Sequence, residues 1–221
     1  MKKKVETPKR LKILVVDDKE ENRKSAKILL AEHELTVVGG YEEAEKLLKP
    51  RVDRVKYDDL LVLRGLTEES DWNLREAARE ECIVFPDFDV ALIDLLLPAG
   101  RNQMGDRGWQ YVGKEMPIGI FLALLAARHG VKLVGVFSDQ SHHDHPASAC
   151  FDALNDNDEI SPLALCVADA KLVLSNCRNW IGYFQSDDFT KRVDYEKIRS
   201  GAPYATAKEW NQLLDYLLAL K

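Results

Sequence analysis

Three aspartates and a serine have the types and the spacing for chemistry: Asp17 and Asp18 side by side, Asp94, and Ser138. Asp94 closes the run Phe88-Asp89-Val90-Ala91-Leu92-Ile93-Asp94, and Pro98 follows shortly after it. Val90 to Ile93 is continuously apolar, the pattern of a strand buried on both faces. The proline then stops regular pairing. Asp17-Asp18 follow Leu11-Lys12-Ile13-Leu14-Val15-Val16, and Ser138-Asp139 follow Val131 to Phe137; both runs are apolar and β-branched. In an open parallel α/β sheet, ligands gather outside the carboxyl ends of the strands. Carboxylates and a hydroxyl at three such ends should converge on one edge. Alone, a strand-end Asp94 could equally cap the turn or helix after it. Its company argues for a site. Close behind Ser138 comes His142-His143-Asp144-His145. Those residues offer transition-metal ligands, groups lining the pocket beside Ser138, or simply a polar loop.

The elements that must position these residues follow from periodicity. Lys19 to His33 carry Ala26, Ile28, Leu29, Leu30 and Ala31 on a polar background, an amphipathic helix with Asp18 or a neighbour as its cap. Thr36 to Gly40 reads as a second strand closing in glycines, and Tyr41 to Leu48 as a helix ended by Pro50. Residues 51–87 break the rhythm. Leu60 to Leu63 reads as a strand or an apolar turn, Glu68 to Glu81 as a polar helix, and the whole as an insertion beside the sheet. Ala99 to Glu115 reads as a long loop over the carboxyl edge, where Arg101, Arg107 and Lys114 could approach an anion or stay solvated. Pro117 opens a helix over Ile118 to His129 that Gly130 ends. Leu163 to Ala170 suggests a helical turn, and Lys171 to Leu174 the fifth strand, ending in Ser175-Asn176. Residues 177–206 look irregular. Ala207 to Leu220 reads as a closing helix with Trp210, Leu213, Leu214, Leu217 and Leu218 on its buried side.

Five strands alternating with helices predict an α/β fold: a doubly wound, five-stranded parallel sheet of flavodoxin-like type. The expected organisation is one domain over 1–221, with 51–87 inserted between strands two and three and 177–221 as a C-terminal extension. A chain of 221 residues can bury a real core, and 46% hydrophobic with 31% charged residues is ordinary for a soluble protein. A net charge of −6 without a basic face argues against nucleic acid as a partner. The basic Met1-Lys2-Lys3-Lys4 has no apolar run behind it, so it is not a signal peptide. Ile118 to Ala127 is too short to span a bilayer. Cys82, Cys150, Cys166 and Cys177 show no C-x-x-C pairing, as in a reducing, cytoplasmic setting.

Three segments together carry a family resemblance. Leu11 to Leu30 (LKILVVDDKEENRKSAKILL), Phe88 to Pro98 (FDVALIDLLLP) and Gly130 to Asp139 (GVKLVGVFSD) resemble the receiver domain of two-component response regulators. The acidic pair and the D-x-x-x-P are the specific signals; Val134 to Ser138 is weaker alone. The resemblance implies a receiver-like domain that accepts a phosphoryl group on Asp94 from a histidine kinase or phosphotransfer protein. It implies signalling through contacts with a downstream protein, not enzymatic turnover. By the same resemblance Asp17, Asp18 and Asp94 hold Mg²⁺, and Ser138 is the switch hydroxyl that bonds the phosphoryl oxygen. The physics agrees: clustered carboxylates repel by about 4 kcal/mol per pair at about 4 Å. A hard divalent cation relieves that repulsion.

One family position departs. Receivers carry a lysine at the end of the fifth strand, and here Asn176 stands there, followed by Cys177. Asn176 brings a hydrogen bond but no charge. Two alternatives therefore stand beside the receiver: a pseudo-receiver that binds partners without phosphotransfer, and a metal-dependent phosphatase or hydrolase on a similar sheet.

Overall fold

The apolar runs of the sequence form the middle of a six-stranded mixed sheet, mostly parallel, with helices on both faces. The computed structural model describes residues 10–101, 106–140, 143–152, 154, 162–175, 180–185 and 188–220. From the N-terminus, β1 (Lys12–Val16), α1 (Glu20–Leu29), β2 (Glu34–Val38) and α2 (Tyr41–Leu48) lead to an excursion. It consists of β3 (Arg51–Val52), α3 (Arg54–Leu63), α4 (Trp72–Glu80) and β4 (Ile83–Val84). The chain returns as β5 (Val90–Asp94), pairs β6 (Leu97–Pro98) with β7 (Glu115–Met116), and continues through α5 (Gly119–Arg128), β8 (Leu133–Phe137) and α6 (Pro146–Asp152). Next come β9 (Leu163–Val167), β10 (Ala170–Ser175), β11 (Ile181–Gln185) and β12 (Asp188–Arg192). Last are α7 (Tyr195–Arg199), β13 (Ala205–Lys208) and α8 (Trp210–Ala219).

Strand order across the sheet is β2-β1-β5-β8-β10-β9. The first five strands are parallel, and β9 runs antiparallel to β10. β5 lies centrally and is buried along its whole length, as its unbroken apolar run requires. Side chains alternate between two cores. Leu14, Ala91, Ile93, Val134 and Leu172 face Leu48 of α2 and Leu122 and Ala126 of α5. Ile13, Val15, Leu92 and Val173 face Ala26 of α1 and Trp210, Leu213 and Leu217 of α8. A Cβ on Gly135 would lie 2.9 Å from Leu213 Cδ2, so glycine lets α8 seat on β8.

The structure departs from the pattern expected of the sequence at four places. The sheet has six strands rather than five: Leu163–Val167 is an edge strand, not a helical turn. Two residues, Ala168 and Asp169, reverse the chain into β10, with Ala168 at a φ of 51°. Such turns match the twist of a strand pair but demand positive φ. Leu60 to Leu63 is the end of α3, not a strand, because Leu60 and Leu61 pack on Tyr57, Ala78 and Cys82 in a small separate core. Residues 177–206 are not irregular throughout: β11 pairs with both β12 and β13 in a second, antiparallel sheet. That sheet takes Ala207 and Lys208 out of the closing helix, which starts at Trp210, and Leu218 is 49% exposed. Of the cysteines, Cys82 is buried in packing, whereas Cys150 and Cys166 are exposed thiols. No described helix is long and apolar enough to cross a membrane.

Candidate acidic site at the carboxyl edge of the sheet

Strand register brings the predicted residues together. Val16 pairs with Ile93 and Asp94 pairs with Phe137, so Asp17 and Ser138 flank Asp94 at the ends of β1 and β8. Asp17, Asp94 and Ser138 are buried; Asp18 is half-buried. One carboxylate oxygen from each of Asp17, Asp18 and Asp94 lies within 4.8 Å of the others. The start of α5 presses directly beneath Asp94: Gly119 N–H donates to Leu95 O at 3.0 Å, and a Cβ there would lie 1.8 Å from the Asp94 carbonyl oxygen. Only glycine allows that approach.

Asp17 does not cap a helix through its own element. Its Oδ1 accepts from Lys19 N–H at 2.9 Å and its two oxygens each lie 3.1 Å from Asn22 Nδ2. Lys19 occupies the cap position of α1 without a side-chain cap bond. The Arg23 guanidinium donates to the carbonyls of Asp17 at 2.8 Å and Asp18 at 2.5 Å, which fixes the acidic pair from behind.

A residue that the sequence did not single out, within the segment expected to form the closing helix, completes the site. Lys208, fully buried, sends its Nζ to 2.7 Å from Asp17 Oδ2 and 2.7 Å from Asp94 Oδ1. The contact with Asp17 is a hydrogen bond; that with Asp94 is an ion pair off the hydrogen-bonding angle. The rings of Phe137 and Trp210, 5.4 Å and 5.2 Å away, wall the ammonium. Asn176, at the position of the family lysine, lies outside the described residues, as does His142. Lys208 instead arrives from β13, in the second sheet.

Titration follows from this geometry. Burial raises Asp94 most, Lys208 pulls it down, and Asp17 and Asp139 push it up again, leaving it at about 8. Burial also raises Asp18, helped by Asp17 and Glu115. Burial opposes the charge on Lys208, but Asp17, Asp94 and Asp139 outweigh it and hold the ammonium well above the usual lysine value. Asp139 is likewise penalised by burial, yet Lys208 and the ion pair with Lys19 at 2.8 Å keep it below the usual carboxylate range.

The donor set fits a hard divalent cation. Asp18 Oδ1 is buried without a hydrogen-bond partner, and such an atom is costly unless something pairs it; Asp94 Oδ1 makes no hydrogen bond but already faces the Lys208 ammonium at 2.7 Å. Asp17, by contrast, has both oxygens engaged. Asp18 is therefore the carboxylate most open to an ion, with Asp17 and Asp94 within reach of the same point and sharing the ammonium beside it.

Ser138 Oγ lies 3.3 Å from Ser148 Oγ and accepts from Gln140 N–H at 3.3 Å, so it links the site to α6. The other candidates stay apart. His145 Nδ1 accepts from Ala147 N–H at 3.1 Å and His143 is exposed; among the described residues neither joins a cluster of metal-ligating side chains. Arg101 and Lys114 are exposed and lie over the rings of Trp109 and Tyr111, and Arg107 is exposed.

No protein-family model, curated protein or solved structure matches this chain.

Proposed function

We propose that the chain is a receiver-like domain that takes a phosphoryl group onto Asp94 from a phosphorylated histidine of a kinase or phosphotransfer protein. The observation that carries this reading is the buried ammonium of Lys208 set between Asp17 and Asp94, with Asp18 open beside them. Strand order supports the flavodoxin-like arrangement: numbered among themselves, the five parallel strands run 2-1-3-4-5. In that frame residues 51–87 are an insertion between the second and third of these strands.

In the proposed step an Asp94 carboxylate oxygen attacks phosphorus. A P–O bond forms, the P–N bond to the donor imidazole breaks, and the departing nitrogen keeps the electron pair and takes a proton from solvent water. Mg²⁺, held by Asp18 and Asp94, would neutralise charge on the phosphoryl oxygens. Lys208 pairs with the same oxygens once the Asp94 carboxylate is esterified, supplying the charge that Asn176 lacks. Ser138 reports the event to α6 through Ser148. Output then passes to a protein partner in a cytoplasmic setting.

A second reading has its own observation. Lys208 already bridges two of the three carboxylates, as a pseudo-receiver with a built-in cation would need. Intact mass after incubation with acetyl phosphate and Mg²⁺ separates the two. A gain of one phosphoryl group, absent without Mg²⁺ and absent in Asp94→Asn, supports the receiver. An unmodified, folded wild-type chain sinks it in favour of the binding module.

A further inference from the structure

Lys208 reaches the carboxylates from outside the central sheet, and α1 grips its backbone from both sides. Asn22 Oδ1 accepts the Lys208 N–H at 3.0 Å, and Ser25 Oγ donates to the Lys208 carbonyl at 2.8 Å. Two residues on, the Trp210 indole N–H donates to the Asn22 carbonyl at 2.9 Å. The amide nitrogen of the same Asn22 lies 3.1 Å from both Asp17 oxygens and 3.2 Å from Asp139 Oδ2. One side chain, 1% exposed, therefore holds the carboxylate at one end and the strand that delivers its counter-ion at the other.

Resting on the phosphoryl-acceptor reading, we propose that Asn22 is a positioning residue that sets the Lys208 ammonium against Asp94 and so governs how fast Asp94 is phosphorylated. Within its small sheet β13 pairs with β11, and from α1 Ser25 holds the Lys208 carbonyl without touching the acidic pair. Without Asn22, nothing on α1 reads both the acidic pair and the register of Lys208. Its amide is suited to this task because it donates to carboxylates and accepts from a peptide N–H at once. A carboxylate in its place would accept from the strand but repel Asp17. A misplacement of about 1 Å is enough to cost two orders of magnitude in a positioned reaction.

The test uses the full chain as wild type, Asn22→Ala, Lys208→Met and the double variant. The rate of Mg²⁺-dependent phosphorylation by acetyl phosphate is read by intact mass. Asn22→Ala should slow the wild type by about tenfold or more. In the Lys208→Met background it should slow nothing further, because no ammonium remains to be placed. Slowing by the same factor in both backgrounds overturns the proposal. Labelling of amines with an N-hydroxysuccinimide ester, read by peptide mass, gives a second measure. Lys208 should be protected in the wild type and reactive in Asn22→Ala, while Lys49 and Lys191, 54% and 66% exposed, label alike in both. Protection of Lys208 in the variant refutes the placement. If Asn22→Ala fails to fold, Ser25→Ala loosens the other side of the grip and is read identically. A wild type that takes no phosphoryl group defeats the parent reading alone, and the labelling result still decides whether Asn22 places Lys208.

Discussion

Replacing Lys208 with methionine keeps the length and apolar stem of the side chain and deletes its charge. In the wild type the ammonium touches two buried carboxylates at 2.7 Å each, with no exposure to water on either the lysine or Asp17. Removing one partner from such a pair leaves buried charge uncompensated, at a cost of about 3–5 kcal/mol. A domain's whole stability is about 5–15 kcal/mol, so the variant should remain folded with a thin margin. At about 2–4 °C per kcal/mol for a chain of this size, Tm should drop by about 6–20 °C. Urea unfolding and thermal melts without Mg²⁺ measure the loss. Because the pair is shielded from solvent, raising the salt from about 0.05 to about 0.5 M, which shortens the Debye length about threefold, should alter the difference little. Adding Mg²⁺ should restore part of it, since a divalent cation relieves the same repulsion. A loss below about 1 kcal/mol is the scale of an exposed pair. It would refute the buried bridge, and with it the claim that β13 completes the site.

Asp94, held at about 8, must lose its proton before Mg²⁺ can bind. Apparent Mg²⁺ affinity should therefore climb with pH from 6 and flatten beyond roughly 8, by up to about tenfold per unit. Calorimetry with Asp94→Asn should show the dependence gone; a flat wild-type profile refutes the assignment. Stability without metal has the opposite sign: the contribution from a raised carboxyl is complete below the ordinary carboxylate range and falls as pH rises through about 8. Ser138→Ala should still accept a phosphoryl group but lose the phosphorylation-dependent change in hydrogen exchange across 143–152, because its bond to Ser148 is gone. Persistence of that change would exclude Ser138 as the link. Ala168→Gly should stabilise the chain by about 1 kcal/mol in urea, since left-handed backbone costs an alanine about 1–2 kcal/mol. A loss of stability would mean the turn is not strained there.

Asp17, Asp18, Asp94 and Ser138 were legible because each ends an apolar run, and the run itself dictates where the strand stops. Register then brings them to one edge without further information. Lys208 was not legible, for a definite reason. Continuing the helical period of Trp210, Leu213, Leu214 and Leu217 back two residues puts Lys208 about 160° from their face, in solvent. In the structure those residues belong to a strand that buries Ala207 and Lys208 together. The pairing that makes β13 a strand is with β11, a contact no local window contains. The missing cation was itself a signal. A buried acidic cluster with an asparagine at its expected counter-charge demands a positive group from elsewhere, and Lys208, with Ala207 before it and Trp210 two residues on, stands where apolar residues could help bury one. The edge strand β9 was lost for a similar reason: Leu163 to Val167 is apolar and short, and its identity depends on a tight turn that Ala168 does not advertise.

The bond between Asp17 and Lys208 joins residues 191 positions apart. During synthesis the acidic edge emerges long before its counter-charge. At about 5–20 residues per second, the ribosome needs on the order of 10–40 s to travel that distance. Throughout that interval the nascent edge has Lys19 N–H and Asn22 on Asp17 but lacks the Lys208 ammonium, so a divalent cation from solution could balance the charge in its place. Late translation would then exchange part of a borrowed charge for a permanent one. The order in which the chain is made, rather than its finished contacts, sets when the edge first becomes electrically balanced.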